Sequence, residues 1–361
     1  MTAETHFSST YAQARARFRD AAKAAGAETV TYQNPQRGPD GGDLSTDVAR
    51  IGPKNAARLL IAMSSTHGAE GFCGSGIQTG WLRQGAFKNL PAGTAVLLVH
   101  AINPYGFAWV RRVNEDNVDL NRNFLDHAKA LPQNDGYKEL RSAICPDAWS
   151  DESEAAVKKI FDDYAARHSK IDLQAAIMNG QYWDKQGVFY GGTGPTWSRR
   201  TLIEALSPYA ATARDVAFID LHTGLGPYGV GEIMSNDFGG TPGAARVREW
   251  FGAESTLLDD GSSTSTAVTG DTQLGVVAAL PDVTLTGITL EYGTVPVDAM
   301  IDAVRADNWL HVHGNLDSAQ GRKIKSEIRY TFYPDEKLWK EMVIERAVDV
   351  LGRTMKGLTQ S

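Results

Sequence analysis

Four short stretches of this chain are apolar almost without interruption: Arg58–Ser64 (RLLIAMS), Ala95–Ala101 (AVLLVHA), Val216–Leu221 (VAFIDL) and Val283–Tyr292 (VTLTGITLEY). Short, β-branched or aliphatic runs of this kind fit parallel strands buried on both faces. Helix-like stretches fall between them, at Ser75–Gln84, Glu152–Ala166, Ser198–Leu206 and Gly243–Phe251. Two more, Pro296–Leu310 and Asp335–Leu351, follow the last strand. This alternation predicts an α/β sandwich with a mostly parallel or mixed sheet. The stretch Asp259–Gly275 (DDGSSTSTAVTGDTQLG) is rich in Gly, Ser and Thr and is expected to be a long loop. Loops of that length in compact domains often act as lids or binding loops. No internal repeat or low-complexity linker divides the chain, so a single domain over residues 1–361 is expected.

The chain has 361 residues, an ordinary size for one large α/β domain. Its net charge of −7 argues against a nucleic-acid partner, which would call for a basic stripe. Arginines nevertheless gather at Arg111, Arg112 and Arg122, and a local cationic pocket in an acidic protein suits a small anionic ligand. The two cysteines, Cys73 and Cys145, imply no disulfide framework. The first thirty residues read as an amphipathic helix and not as a signal peptide. No window approaches a membrane span. A cytoplasmic protein without a membrane partner is the expectation; a homo-oligomer is left open.

Candidate chemistry lies at the ends of the apolar runs, and in open α/β sheets ligands bind outside the carboxyl ends of the strands. His67-Gly68-Ala69-Glu70 follows the first run, the Asn103–Arg112 region the second, His222 ends the third and Glu291 the fourth. Two His and one Glu are a known ligand set for catalytic zinc, which keeps a fourth position for water. His67, Glu70 and His222 would supply it, with one Zn2+ per chain. A second carboxylate must take the water's proton, and Glu291 is the candidate because it sits on an apolar strand with no evident structural duty. Arg112 is the candidate partner for an oxyanion. Arg122 with Asn121 would clamp a carboxylate through the guanidinium fork. Asp119 is the candidate acceptor for the second ring nitrogen of His67. Asp220 is placed lower for His222, on the ground that strand neighbours point to opposite faces.

Taken in order, His67–Glu70 (H-x-x-E), Asn103–Gly106 (N-P-x-G), Arg112–Asn114 (R-x-N), Val118–Phe124 (VDLNRNF), Asp220–Gly224 (DLHTG) and the strand-borne Glu291 resemble the M14 metallocarboxypeptidase superfamily. The wording THGAEGFCGSGIQ at Thr66–Gln78 is more narrowly similar to its DUF2817 branch. The matched stretch runs from about residue 55 to residue 300. The resemblance implies a three-layer α/β sandwich around a mixed, mostly parallel eight-stranded sheet. It also implies hydrolysis of an amide bond beside a free carboxylate. It gives His67, Glu70 and His222 to zinc, Glu291 to the base, Arg112 to the oxyanion, Asn121 and Arg122 to the clamp, and Asp119 to the support of His67.

The digestive members carry a loop tyrosine ahead of the catalytic Glu, and Asp259–Gly275 has none. That departure counts against a free C-terminal peptide of the digestive kind; the carboxylate clamp makes short anionic peptides or N-acyl amino acids the expected substrates. A deacylase or esterase acting on another small acyl group is the alternative within the fold. A non-catalytic small-molecule binding protein is the alternative outside it. The aromatic and glycine-rich run Gln181–Trp197 is a candidate pocket wall, with Tyr182, Trp183 or Tyr190 reaching the substrate; Tyr190 is carried forward. Cys73 is read as a small buried residue in a Gly-rich turn. His311 and His313, if helical, point too far apart to share a metal. Serine-hydrolase elbows, P-loops and H-E-x-x-H are absent.

Overall fold

A computed structural model describes residues 2–265 and 268–360; Thr266 and Ala267, which fall in the expected Asp259–Gly275 loop, lie outside the described residues. Eight strands form one sheet: β1 (Glu28–Arg37), β2 (Asp43–Ile51), β3 (Arg58–Ser64), β4 (Thr94–His100), β5 (Asp215–Tyr228), β6 (Gly231–Ser235), β7 (Ser255–Leu257) and β8 (Thr284–Gly293). Their order across the sheet is β1-β2-β4-β3-β5-β8-β6-β7. The four apolar runs are β3, β4, β5 and β8, which lie together at the centre and run parallel. The β6–β7 junction is also parallel, and β1–β2, β2–β4 and β8–β6 are antiparallel.

Side-chain alternation sorts the central strands onto two cores. Leu60 and Ala62 of β3, Ala217 and Ile219 of β5, and Ile288 and Leu290 of β8 face one. It is covered by helices Tyr11–Ala24, Gly71–Gln84, Pro242–Phe251 and Lys337–Gln360. Leu59, Ile61 and Met63 of β3, with Val216 and Phe218 of β5, face the other, beneath helices Trp197–Leu206 and Gln273–Ala279. A third apolar cluster packs helices Asp135–Ile144, Lys170–Met178, Val297–Val312 and Ala319–Phe332 together. The carboxy-terminal helix reaches the central sheet through Trp339. This residue is fully buried, and its indole N–H donates to Gly293 O (3.1 Å) at the end of β8. Truncating such a side chain costs about 3–5 kcal/mol.

The strands that the apolar pattern does not reveal have physical reasons to hide. β1 is exposed at most positions. β2 buries Ser45, Thr46 and Asp47, which reads as polar. Asp47 is tolerated because Arg15 Nε donates to it at 2.7 Å and the Thr31 hydroxyl at 2.5 Å. β7 has only three residues. Helix Gly71–Gln84 starts earlier than its sequence suggests, since Gly71 and Gly74 weaken helix propensity. Both are close-approach positions, where a Cβ would collide with Phe107 and with Ser64. The helix Gln273–Ala279 takes over the end of the expected loop.

Candidate metal centre and active site

β3 ends at Ser64, and Ser65 then adopts a left-handed conformation (φ 65°), uncommon for a residue with a side chain. Asn103 N–H donates to Ser65 O at 3.1 Å and fixes this turn. Thr66 and His67 follow, then a tight 3-10 turn over Gly68–Glu70. Gly68 lies against the backbone of Gly106 with no room for a Cβ. Gly68 N–H donates to Arg112 O (3.1 Å) and Ala69 N–H to Arg111 O (2.8 Å). The backbone thus joins the His67–Glu70 segment to the segment that carries the arginines.

β5 brings His222 to the same edge. Glu70 lies between the two imidazoles, its Oε1 at 2.8 Å from His67 Nδ1 and its Oε2 at 2.8 Å from His222 Nδ1. Thr223 N–H also donates to Oε2 (3.1 Å). Among the described residues, His67, Glu70 and His222 form a buried cluster with one ligand atom from each, all within 4.8 Å of one another. The far ring nitrogens both meet carboxylates. His67 Nε2 is 3.2 Å from Asp119 Oδ1, and His222 Nε2 is 3.0 Å from Asp220 Oδ2. The low placing of Asp220 is therefore corrected: residues 220 and 222 are two apart on a strand and share a face.

The electrostatics follow from this packing. Burial alone would raise the Glu70 carboxyl, but His67 and His222 hold it well below the usual carboxylate range. Burial would lower His222, yet Asp220 and Glu70 keep it well above the ordinary imidazole value. Asp119 is likewise pulled down against its burial, first by Arg112 and then by His67 and Arg122. Two imidazoles and a carboxylate, each imidazole backed by a further carboxylate, fit a zinc ion.

Glu291 faces this cluster. In the parallel register of β5 and β8, Glu291 lies opposite His222. Its Oε1 accepts the Leu225 N–H at 2.9 Å. Burial, and then the nearby Glu70 charge, push its carboxyl up to about 8.

The neighbouring arginines separate. Arg112 Nε donates to Asp119 Oδ2 (2.9 Å), and its Nη1 lies 3.6 Å from Glu70 Oε1. Arg112 Nη2 also approaches His67 Nε2 at 2.8 Å, a nitrogen that cannot accept this proton while donating its own to Asp119. Arg111 turns away to Asp307 Oδ2 (3.3 Å) and Asn117 Oδ1 (3.1 Å). Arg122 is buried; its Nε and Nη2 donate to Met178 O, and its Nη1 to Asn121 O (3.0 Å).

His67, Glu70, His222, Glu291, Arg112, Asn121 and Arg122 all line one cavity of about 90 Å³. Asp119 stands behind it. Tyr190 does not line it, which corrects its assignment to substrate binding. Tyr190 is buried, and its carbonyl accepts Asp119 N–H at 2.8 Å. Tyr182 likewise sits behind the site, its hydroxyl donating to Arg122 O (2.8 Å), while Trp183 is half exposed at the surface. The 181–197 run supports the backs of Asp119 and Arg122 and makes no wall of its own in the cavity.

Thr223 and Gly224 of the Asp220–Gly224 motif complete this edge, and much of the remaining lining comes from residues the sequence reading did not name individually. Met234 and Asn236 lie on and just after β6, Thr289 on β8, and Asp271 in the loop before helix Gln273–Ala279. Met178, Met300 and Phe332 come from the third apolar cluster. Burial, followed by the Asp220 charge, pushes Asp271 up to about 6. Only the Gly/Ser/Thr-rich composition around Asp271 signals any of these positions. Cys73 is buried, as expected, and lies outside the lining, within helix Gly71–Gln84 and not in a turn. His311 and His313 face separate acids, Asp307 at 3.7 Å and Asp147 at 3.9 Å. Among the described residues, no helix is long and apolar enough to cross a membrane.

No curated protein matches the sequence. Three solved structures illustrate the structural likeness. Carboxypeptidase A from Helicoverpa armigera is 12% identical, with 89% of this chain and 73% of that chain covered and a TM-score of 0.42. Thrombin activatable fibrinolysis inhibitor (TAFI) is 11% identical, covering 94% and 74%, with a TM-score of 0.45. Succinylglutamate desuccinylase from Chromobacterium violaceum is 15% identical, covering 87% and 72%, with a TM-score of 0.37. A family model described as "Protein of unknown function (DUF2817)" matches residues 7–346, well beyond the 55–300 stretch that carries the motifs. The chain belongs to the DUF2817 family.

Proposed function

We propose that this protein is a zinc-dependent hydrolase that cleaves an amide bond beside a free carboxylate, in short peptides or N-acyl amino acids. One observation carries the reading: the His67–Glu70–His222 cluster, Glu291, Arg112 and Arg122 share the lining of a single small cavity. A zinc ion held by the three ligands would supply a water acidic enough to ionise near neutral pH and would polarise the scissile carbonyl.

The chain's own groups account for the rest of the reaction. Glu291 Oε1 is held by Leu225 N–H, which leaves Oε2 to take the proton of the attacking water. The same carboxyl then passes that proton to the leaving nitrogen. Arg112 is anchored through Nε on Asp119, with Nη2 against His67, and its Nη1 is the donor for the developing oxyanion. Arg122 has five N–H donors. Three point at the Met178 and Asn121 carbonyls, so two remain for a substrate carboxylate. Asn121 Oδ1 accepts Thr272 N–H (3.2 Å) and its Nδ2 lies 3.5 Å from His222 Nε2, which holds the side chain at the cavity wall beside Arg122.

The test is a mass-spectrometric hydrolysis screen. Free-carboxylate dipeptides and N-acyl amino acids are paired with their amidated counterparts, each with and without a zinc chelator. Chelator-sensitive cleavage confined to free carboxylates is expected, and the better series identifies peptide or acyl amino acid as the substrate. A zinc-loaded sample that cleaves none of them would overturn the proposal.

A further inference from the structure

Thr272 touches neither the cation ligands nor Glu291, yet it reaches both halves of the site. Its hydroxyl donates to Asp220 Oδ2 at 2.6 Å, a short bond to a buried carboxylate. The same oxygen receives His222 Nε2 at 3.0 Å. The other face of Asp220 is closed by the Thr66 hydroxyl, at 2.7 Å from Oδ1. Thr66 and Thr272 therefore hold one carboxylate from two sides, and Asp220 in turn fixes the ring of a metal-ligand histidine. Through its backbone N–H, Thr272 also holds the Asn121 side chain at 3.2 Å. Gly270 (φ 89°) packs its Cα against the Arg122 carbonyl, and Phe124 N–H donates to Gly270 O at 3.0 Å. The cavity wall at Val268 and Asp271 is thus pinned to the Asn121–Phe124 segment by backbone and to the metal side by one hydroxyl.

We propose that Thr272 is a positioning residue that couples the cation site to the substrate wall, so that filling the first orders the second. Charge-assisted hydrogen bonds of this kind are the strong ones, and they lose their geometry when either end shifts. A cation on the inner nitrogen of His222 fixes the ring from one side, and Asp220 fixes it from the other. A ring held at both ends holds Asp220, and Asp220 holds Thr272. By linkage, an ordered wall then favours cation binding by the same factor. The inference rests on the zinc reading of the cluster but not on any substrate.

Hydrogen–deuterium exchange of the full chain, with zinc ion alone as the probe, tests it. In the wild type, zinc is expected to slow exchange at residues 268–272 as well as around His67 and His222. In Thr272→Val, which keeps the shape and removes the hydroxyl, zinc is expected to protect the ligand segments and leave 268–272 fast. Chelator competition is expected to give about a ten-fold weaker zinc affinity for this variant, in the range typical of lost supports behind metal ligands. Thr272→Ser, which restores the hydroxyl, is expected to recover both properties. Zinc that protects 268–272 equally in wild type and Thr272→Val would overturn the coupling while leaving the hydrolase reading intact. No zinc binding by the wild type would overturn both, and the screen of amide substrates would distinguish a further failure confined to function.

Discussion

Replacing Glu291 by Gln should make the zinc-free protein more stable as it makes the loaded protein inactive. The carboxyl is buried beside Glu70, and these two effects raise it from its ordinary value of 4.5 to about 8. Between those two values the native state binds a proton that the unfolded chain has released. Stability of the wild type therefore falls as pH rises through this window, and the full penalty is present above pH 8. At ~1.36 kcal/mol for each pKa unit, the penalty is on the order of 4–5 kcal/mol as a ceiling. Gln keeps the carbonyl that accepts Leu225 N–H and carries no charge to repel Glu70. The stabilisation by Glu291→Gln should thus be near zero at pH 5 and grow to several kcal/mol at pH 9. Urea unfolding of chelator-treated wild type and variant, measured across that range, gives the difference directly. A variant equally destabilised at both ends, or a difference that shrinks as pH rises, would refute the reasoning. In the zinc-loaded protein, turnover should drop by about 10²–10⁴-fold, the usual weight of a general base.

Zinc binding should release at least one proton per site near pH 7, because His222 is held protonated between Asp220 and Glu70 and a cation must displace the proton on its inner nitrogen. Calorimetry in two buffers of different ionisation enthalpy measures this, and identical heats in both would contradict it. Arg122→Ala should raise KM for free-carboxylate substrates by about 10–100-fold, the factor carried by hydrogen bonds between charged groups, and leave amidated analogues unaffected. An equal loss on both series would remove Arg122 from the clamp. Asp307→Ala should cost about 3–5 kcal/mol by urea unfolding, because Arg111 and Lys325 would be left buried without their shared partner. A change below about 1 kcal/mol would show that water replaces Asp307 there.

The parts of the site that could be read in the sequence are those in which chemistry and strand termini coincide. His67, Glu70, His222 and Glu291 each follow or end an apolar run, so the edge on which they meet was implied by the sheet itself. Asp220 was misplaced through parity, since only adjacent residues alternate and residues two apart do not. Tyr190 is not legible because aromatic composition carries no direction; the residue is buried outside the cavity lining, and its carbonyl serves Asp119. Asp271, Asn236 and Phe332 come from three distant segments, and no local pattern announces that tertiary packing will bring them to one wall. The hidden strands β1 and β2 carry polar residues because part of β1 faces solvent and because Asp47 is balanced by Arg15.

The pairing of His222 with Glu291 belongs to a hydrogen-bond ladder, and the chain between them has no part in setting it. A slip of one rung would turn Glu291 into the core of Ile288 and Leu290, so the rungs tolerate no drift. The connection from β6 to β7 is under no such constraint, and it leads to Asn236 on the cavity wall. Insertions in that connection would reshape the wall without moving the His222–Glu291 register. The fold therefore gives evolution and engineering two separate dials: a ladder that keeps the paired residues in place, and a connection free to change length at the edge of the cavity.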